Sequence, residues 1–159
     1  MIKGTNSTIN GSNNILLGIG STVLGNNNNN TGSYNTIEGE MNNAAGDRNT
    51  IDGAGNNLLG FDNNIEGNIN TVLGDSNNLK GNENKVAGNR NDVEGNTNIL
   101  KGNDNSIKGN QNLLQGNKTI IKGSHNAVNG NENNIEGDFN SAIGNQNDIA
   151  GNKNQVLRS

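Results

Sequence analysis

Glycine recurs every seventh residue from Gly4 to Gly151, and this spacing constrains the fold more than any other feature of the chain. Of the 24 glycines, only Gly20 and Gly55 lie off this lattice, and no insertion shifts its register. A fixed short period over a whole chain is the signature of a repeat architecture. We therefore expect residues 1–159 to form one domain of seven-residue repeats.

Each repeat adds one aliphatic residue and two asparagines to its glycine. The segment 88–108 shows three consecutive copies, GNRNDVE, GNTNILK and GNDNSIK. The position two residues before each glycine is Ile, Leu, Val or Ala throughout, except at Asn30. The position three residues after each glycine is Asn, with the exceptions of Ser7, Ser21 and Thr119. The consensus is GNxN-x-[ILV]-x.

Composition alone is typical of a disordered chain, because only 28% of the residues are hydrophobic. The strict lattice overrides that interpretation, since disordered linkers do not require an aliphatic residue at every seventh position. A coiled coil is also excluded. A heptad seam needs two apolar positions per repeat and this one supplies a single position. So many glycines inside helices would cost roughly 20 kcal/mol relative to alanine.

The repeat instead predicts an all-β protein, a β-solenoid. The triplet x-[ILV]-x is a short strand whose middle side chain points inward and whose flanking side chains point outward. The residues GNxN form the corner, where Gly, and after it Asn, tolerates positive φ. The second Asn is expected to point inward and to stack on its copies, forming an amide ladder along the roll.

Charge shows that two repeats complete one coil. The triplets of even-numbered repeats carry charges at Glu38, Asp52, Glu66, Lys80, Asp92, Glu94, Lys108, Lys122, Glu136 and Asp148. The triplets of odd-numbered repeats carry only Lys3, Lys85 and Lys101. Such segregation has a period of 14 residues, so alternate triplets must lie on opposite sheets. We expect a two-sheet β-roll of about eleven coils, roughly 50 Å long. The outward residues of the odd and even triplets are called the odd face and the even face.

The odd face is the candidate binding surface, because it is flat and nearly uncharged in this arrangement. Its predicted residues are Ile15, Leu17, Asn29, Thr31, Asn43, Ala45, Asn57, Leu59, Thr71, Leu73, Ala87, Ile99, Leu113, Ala127, Ser141 and Ile143. A secondary candidate on the even face is a threonine ladder of Thr8, Thr22, Thr36 and Thr50. Its charged neighbours Glu38 and Asp52 make it the less favoured surface.

These repeats resemble the xxNxVxG motif of the plant ice-recrystallisation-inhibition (antifreeze) proteins. The segments Asn6–Gly11 (NSTING) and Asn49–Gly53 (NTIDG) carry the likeness most clearly. The resemblance implies a left-handed β-roll of paired heptads that binds ice through one flat sheet face. The head domains of trimeric autotransporter adhesins are similar more distantly, also with about fourteen residues per turn.

Other chemistries lack the residues they need. Calcium β-rolls use a nine-residue period with a fixed Asp, whereas the fixed residue here is neutral Asn. No phosphate-binding glycine motif is present, and His125, the single histidine, falls at a corner. Tyr34 and Phe139 also fall at corners, where packing over a turn is the favoured interpretation. We expect no enzyme activity, no cofactor and no metal.

A net charge of −4 argues against nucleic acid as a partner. The sequence has no signal peptide and no segment that could insert in a membrane, so we expect a cytoplasmic protein or a mature secreted form. Two functions remain. One is ice binding through the odd face. The alternative is a structural or adhesive solenoid that self-associates, either as a lateral dimer through the odd face or end to end as a fibre.

Overall fold

The computed structural model describes residues 2–158 of the chain and the side chains of residues 4–158. The side chains of Ile2 and Lys3, predicted to point inward and outward, lie outside this range. Every regular element in the described part is a short parallel strand. The strands form two sheets that alternate along the chain.

The first sheet has twelve strands and contains the odd triplets. Its strands are β1 (Ile2–Lys3), β3 (Ile15–Leu17), β5 (Asn29–Thr31), β7 (Asn43–Ala45), β9 (Asn57–Leu59), β11 (Thr71–Leu73), β13 (Lys85–Ala87), β15 (Ile99–Lys101), β17 (Leu113–Gln115), β19 (Ala127–Asn129), β21 (Ser141–Ile143) and β23 (Gln155–Leu157).

The second sheet has eleven strands and contains the even triplets. Its strands are β2 (Thr8–Asn10), β4 (Thr22–Leu24), β6 (Thr36–Glu38), β8 (Thr50–Asp52), β10 (Asn64–Glu66), β12 (Asn78–Lys80), β14 (Asp92–Glu94), β16 (Ser106–Lys108), β18 (Ile120–Lys122), β20 (Asn134–Glu136) and β22 (Asp148–Ala150).

Neighbouring strands pair in one constant register, each residue opposite the one fourteen positions later. Ile51 lies opposite Ile65, and Val72 lies opposite Val86. Glu38 and Leu59 consequently belong to different sheets. The predicted fold, an all-β two-sheet solenoid with two repeats per coil, is confirmed.

The aliphatic residue of each triplet fills the space between the sheets. Ile37, Ile65 and Ile107 are completely buried, and within residues 4–158 partial exposure of this row appears only towards the ends, at Ile9 and Val156. Burying one such side chain contributes about 1.5–3 kcal/mol. Because the core is a single aliphatic row from each sheet, each coil depends on the coils above and below it.

The second Asn of each repeat forms the predicted buried ladder. Asn84 is typical: its backbone N–H donates to Oδ1 of Asn70 at 3.0 Å, and its Nδ2 donates to the same oxygen at 3.1 Å. The Nδ2 group also donates to the carbonyl oxygen of Gly95 at 2.8 Å. The ladder therefore satisfies corner groups that burial would otherwise leave without partners.

Asn30, the one polar residue in the aliphatic row, compensates for a gap in this ladder. Ser21 replaces the Asn that would accept a bond from the Nδ2 of Asn35, and its hydroxyl accepts only from the backbone N–H of Asn35, at 3.1 Å. Oδ1 of Asn30 accepts from that Nδ2 instead, at 2.8 Å. Two departures from the consensus thus support each other within one coil.

The first Asn of the repeat forms a second, outer ladder that was not predicted from the sequence. Oδ1 of Asn96 accepts from the backbone N–H of Asn82 at 2.8 Å, so the bond runs towards the preceding coil. The inner ladder runs the opposite way. Three residues, Ile19, Ala54 and Phe61, have no side-chain acceptor at this position. After Phe61 the outer ladder is continuous on both edges of the roll.

The corner backbone differs in one respect from expectation. The residue in the left-handed region is the variable one between the two asparagines, and it includes Ile69 and Thr97, both at φ 58°. β-branched residues are strained there. The lattice glycine is required not only for its positive φ but also because neighbouring coils approach closely at this position. A Cβ on Gly67, at φ 132°, would overlap the carbonyl oxygen of Gly81 in the next coil.

Candidate functional site

The odd face brings together all sixteen residues predicted for it. They lie on the outward side of the twelve-stranded sheet, in two columns formed by the first and the third residue of each triplet. Leu17, Ala45, Ala87 and Ser141 are half-buried, and the other twelve are exposed. The register therefore places side chains at regular steps of about 4.8 Å along each column.

Aliphatic side chains are prominent on this face. Leu59 lies opposite Leu73 in the third-residue column, and Ile99 lies opposite Leu113 in the first-residue column. The exposed fractions of these four side chains lie between 47% and 55%. Cross-strand aliphatic pairs of this kind stabilise a sheet by roughly 0.2–1 kcal/mol. They also leave much apolar surface in contact with solvent.

The odd face is not uniformly flat, because small side chains lie next to long ones. Ala87 lies between Leu73 and Lys101 in its column, and a shallow depression opens above it. A second depression lies beside Ala127, next to Leu113 in the register. Both depressions are shallow features of the outer surface.

The odd face also has a polar section. Nδ2 of Asn29 donates to Oδ1 of Asn43 at 2.9 Å, and Nδ2 of Asn43 donates to Oδ1 of Asn57 at 3.0 Å. These side chains are exposed, yet each amide is oriented by its neighbour. The result is a row of fixed amide groups on the surface.

The even face is ionic along its third-residue column. Nζ of Lys80 lies 3.0 Å from Oε2 of Glu66, and Nζ of Lys108 lies 3.1 Å from Oε2 of Glu94. The hydrogen bond to Glu66, and then its negative charge, raise the pKa of Lys80. Charged groups therefore cover the middle of this face.

The threonine ladder occupies the other column of the even face. Thr8, Thr22, Thr36 and Thr50 lie opposite one another in consecutive strands. Glu38 and Asp52 share the strands of Thr36 and Thr50. The threonine hydroxyls therefore lie beside a column that is acidic at Glu38 and Asp52.

The corners carry ion pairs between successive coils that were not predicted from the sequence. Arg48 donates to both carboxylate oxygens of Asp62, at 2.6 and 2.7 Å, and Arg90 binds Asp104 in the same way. The hydrogen bonds from the arginines lower the pKa of Asp62 and Asp104. A spacing of fourteen residues between opposite charges could have revealed these pairs.

The aromatic corner residues pack as expected. Phe139 stacks on His125 with the ring centroids 4.5 Å apart, and the ring of Tyr34 lies over Gly20. Across residues 2–158 no three His, Cys, Asp or Glu side chains converge as a metal site would require. No helix that could cross a membrane occurs in the described chain.

The fold is that of a β-solenoid repeat protein, and each of its two sheets presents a long surface of regularly spaced side chains. The model of the grass antifreeze β-roll family matches residues 65–158, more than half of the sequence. The chain belongs to this family, as its repeats predicted. Membership supports an ice-binding role in general, and together with the solenoid fold it points to a protein without enzyme activity. None of the curated proteins matches the chain significantly.

The matched range begins where the outer asparagine ladder becomes continuous. The repeats before Ile65 contain the off-lattice glycines, Asn30 in the core row and the three interruptions of the outer ladder. The threonine ladder, Thr8 to Thr50, lies entirely outside the match. Half of the sixteen predicted odd-face residues lie within it: Thr71, Leu73, Ala87, Ile99, Leu113, Ala127, Ser141 and Ile143.

Proposed function

We propose that the chain binds ice through the odd face. The observation that carries this proposal is the distribution of charge over the two faces. Strands β3 to β23 of the odd sheet hold Lys85 and Lys101 as their only outward charges. The even sheet has the same number of three-residue strands and holds ten outward charges.

Charge matters because ice offers no counter-ions. A carboxylate or an ammonium group binds its hydration water strongly, and this water is not arranged as in ice. Removing it when the protein contacts ice costs free energy, because ice provides no opposite charge in return. Aliphatic, hydroxyl and amide groups hold surface water less strongly. Against a neutral lattice, a face of such groups binds at lower cost than an ionic one.

Rigidity supports the same surface. The two asparagine ladders and the continuous sheet hold the outward side chains at a fixed spacing before any contact with ice. A preorganised surface loses less conformational entropy on binding. On the odd face, the fixed amides of Asn29, Asn43 and Asn57 extend this order to the side chains.

The test is grain growth in an annealed frozen solution containing micromolar protein. We expect the protein to arrest coarsening, and ordinary coarsening would refute an ice-binding role. Ala127→Arg places a long charged side chain on the odd face, and Ala150→Arg is its match on the even face. Ala127→Arg should raise the inhibitory concentration several-fold, whereas Ala150→Arg should leave it unchanged.

The same variants separate ice binding from self-association through the odd face. If that face were covered by a second copy, Ala127→Arg would convert a dimer into a monomer in sedimentation experiments. Ice binding predicts instead that the oligomeric state does not respond to Ala127→Arg while the inhibition of coarsening does.

A further inference from the structure

The even face carries charges in an order that intramolecular pairing does not explain. Its third-residue column, from β6 to β20, reads Glu38, Asp52, Glu66, Lys80, Glu94, Lys108, Lys122 and Glu136. All eight side chains are exposed and stacked in register. Three of its five acids, Glu38, Asp52 and Glu66, lie together at one end, whereas Lys108 and Lys122 lie near the other end, beside Glu136.

Two ion pairs within the described chain use half of this column, Glu66 with Lys80 and Glu94 with Lys108. Asp52 instead lies between two other acids, Glu38 and Glu66, one strand away on each side. Like charges directly opposite in neighbouring strands destabilise a sheet. Strict alternation of sign would have paired every residue, so the observed order costs stability in an isolated roll.

The order becomes favourable when a second copy is added. Consider a two-fold axis parallel to the strands that passes over the even face midway between β12 and β14. Rotation about it reverses the direction of the roll but keeps the third-residue column above the same column of the other copy. Asp52 then faces Lys122, Glu66 faces Lys108 and Lys80 faces Glu94, and each pair occurs twice by symmetry.

We propose that the even face is a self-complementary surface that binds a second copy of this chain in antiparallel orientation. The remaining positions are compatible with this register. Leu24 faces Ala150, and in the first-residue column Asn78 faces Asp92, which places an amide opposite a carboxylate. Glu38 facing Glu136, at the ends of the column, is the one like-charged pair.

This surface is independent of the proposed ice-binding face. The even sheet lies on the other side of the roll, so an antiparallel pair would leave both odd faces exposed in opposite directions. The net charge of −4 on each copy opposes association in general. Binding must therefore come from the local order of charges, and its strength must fall steeply with salt.

The test is sedimentation of the whole chain at low and high ionic strength. At about 10 mM salt the screening length is roughly 30 Å, and at 1 M it is roughly 3 Å. We expect twice the monomer mass of 16.6 kDa at low salt and the monomer at high salt. Asp52→Lys should abolish the dimer at low salt, because it faces Lys122 of the second copy.

Asp52→Lys is informative because it should not harm the monomer. It places a cation between Glu38 and Glu66, so thermal unfolding should be unchanged or shifted upward. Adding Lys122→Glu should restore the dimer, since the pair is re-formed with its signs exchanged. Glu83→Lys, at a corner, makes the same change in net charge and should leave the dimer intact.

Three results would overturn the proposal. The first is a monomer at low salt and submillimolar concentration. The second is a dimer whose mass is insensitive to Asp52→Lys. The third is a dimer that strengthens with salt, because burial of the apolar odd face would behave in that way.

Discussion

Strands β4 and β11 have the same sequence, Thr-Val-Leu, yet they lie on opposite faces of the roll. In both, the central valine is buried in the core and the threonine and leucine point outward. Their surroundings differ. The column that contains Leu24 continues into the acidic residues Glu38 and Asp52, whereas Leu73 lies between Leu59 and Ala87 in its own column. The fold constrains only the inward residue.

This difference indicates that folding does not determine which residues occupy the outward positions of the two faces. Outward positions contribute little to the core, so any polar or small apolar residue would be tolerated on either face. Ten charges on one sheet and two on the corresponding strands of the other are therefore not demanded by the roll. Under the proposed function, the uncharged surface is the one that contacts the neutral ice lattice.

The largest expected effect comes from changing the two identical strands in the same way. Thr71→Glu with Leu73→Glu puts two carboxylates on the odd face, and Thr22→Glu with Leu24→Glu does so on the even face. The first double variant should need at least tenfold more protein to arrest ice coarsening, because its carboxylates retain hydration water. The second should match the unmodified protein. Equal losses in both variants would contradict the comparison.

A smaller, favourable effect is expected from filling a depression on the odd face. Ala87→Thr adds a β-branched side chain between Leu73 and Lys101, in one of the two shallow depressions of this face. We expect about twofold better inhibition of coarsening and a stability gain of up to about 1 kcal/mol, measured by chemical unfolding. Ala150→Thr on the even face is the control and should change stability alone. Lower activity of Ala87→Thr would show that the depression itself is used.

The smallest expected effect on activity is that of pH. The described part of the odd face has no acidic residue, so lowering the pH from 7 to 3 changes charge on the even face and the corners. Inhibition of ice coarsening should stay within twofold over this range. A clear loss at pH 3, with the circular dichroism spectrum intact, would mean that acids of the even face take part.

Stability should respond to acid even though activity does not. Asp62 and Asp104 have pKa values below the ordinary 3.8 because Arg48 and Arg90 donate hydrogen bonds to them. A carboxylate with a lowered pKa stabilises the fold above its unfolded pKa, and this contribution is lost as the pH falls through the folded value. Melting temperatures should therefore decline below about pH 4, modestly, since both pairs are exposed.

Most of the fold could be predicted because its determinants repeat. Gly, Asn and the aliphatic residue recur in register, and the charges of Glu38, Glu66 and Glu136 on alternate triplets showed how many repeats close a coil. The left-handed corner position could not be predicted from propensity. It accepts Ile69 and Thr97, since the hydrogen bonds of the neighbouring coils impose the backbone there.

The site was less accessible to sequence reasoning than the fold. The register followed from the period, so the columns of the odd face were predictable residue by residue. The outer ladder and the pair of Arg48 with Asp62 were missed, because they join residues fourteen positions apart and no short sequence motif marks the partners. The choice of the odd face as the proposed ice-binding surface depends on its low charge, and matched variants on the two faces test it.

The most direct measurement compares Ile99→Glu on the odd face with Ile120→Glu on the even face by partitioning into a growing ice phase. Both isoleucines begin their triplets, and their exposed fractions are 47% and 43%. Unfolding experiments should show similar stability losses for the two variants. We predict that the protein with Ile120→Glu enters the ice fraction as the unmodified chain does, while the protein with Ile99→Glu stays in the liquid. Equal partitioning of the two variants, or exclusion of the Ile120→Glu variant alone, would contradict the assignment of ice binding to the odd face.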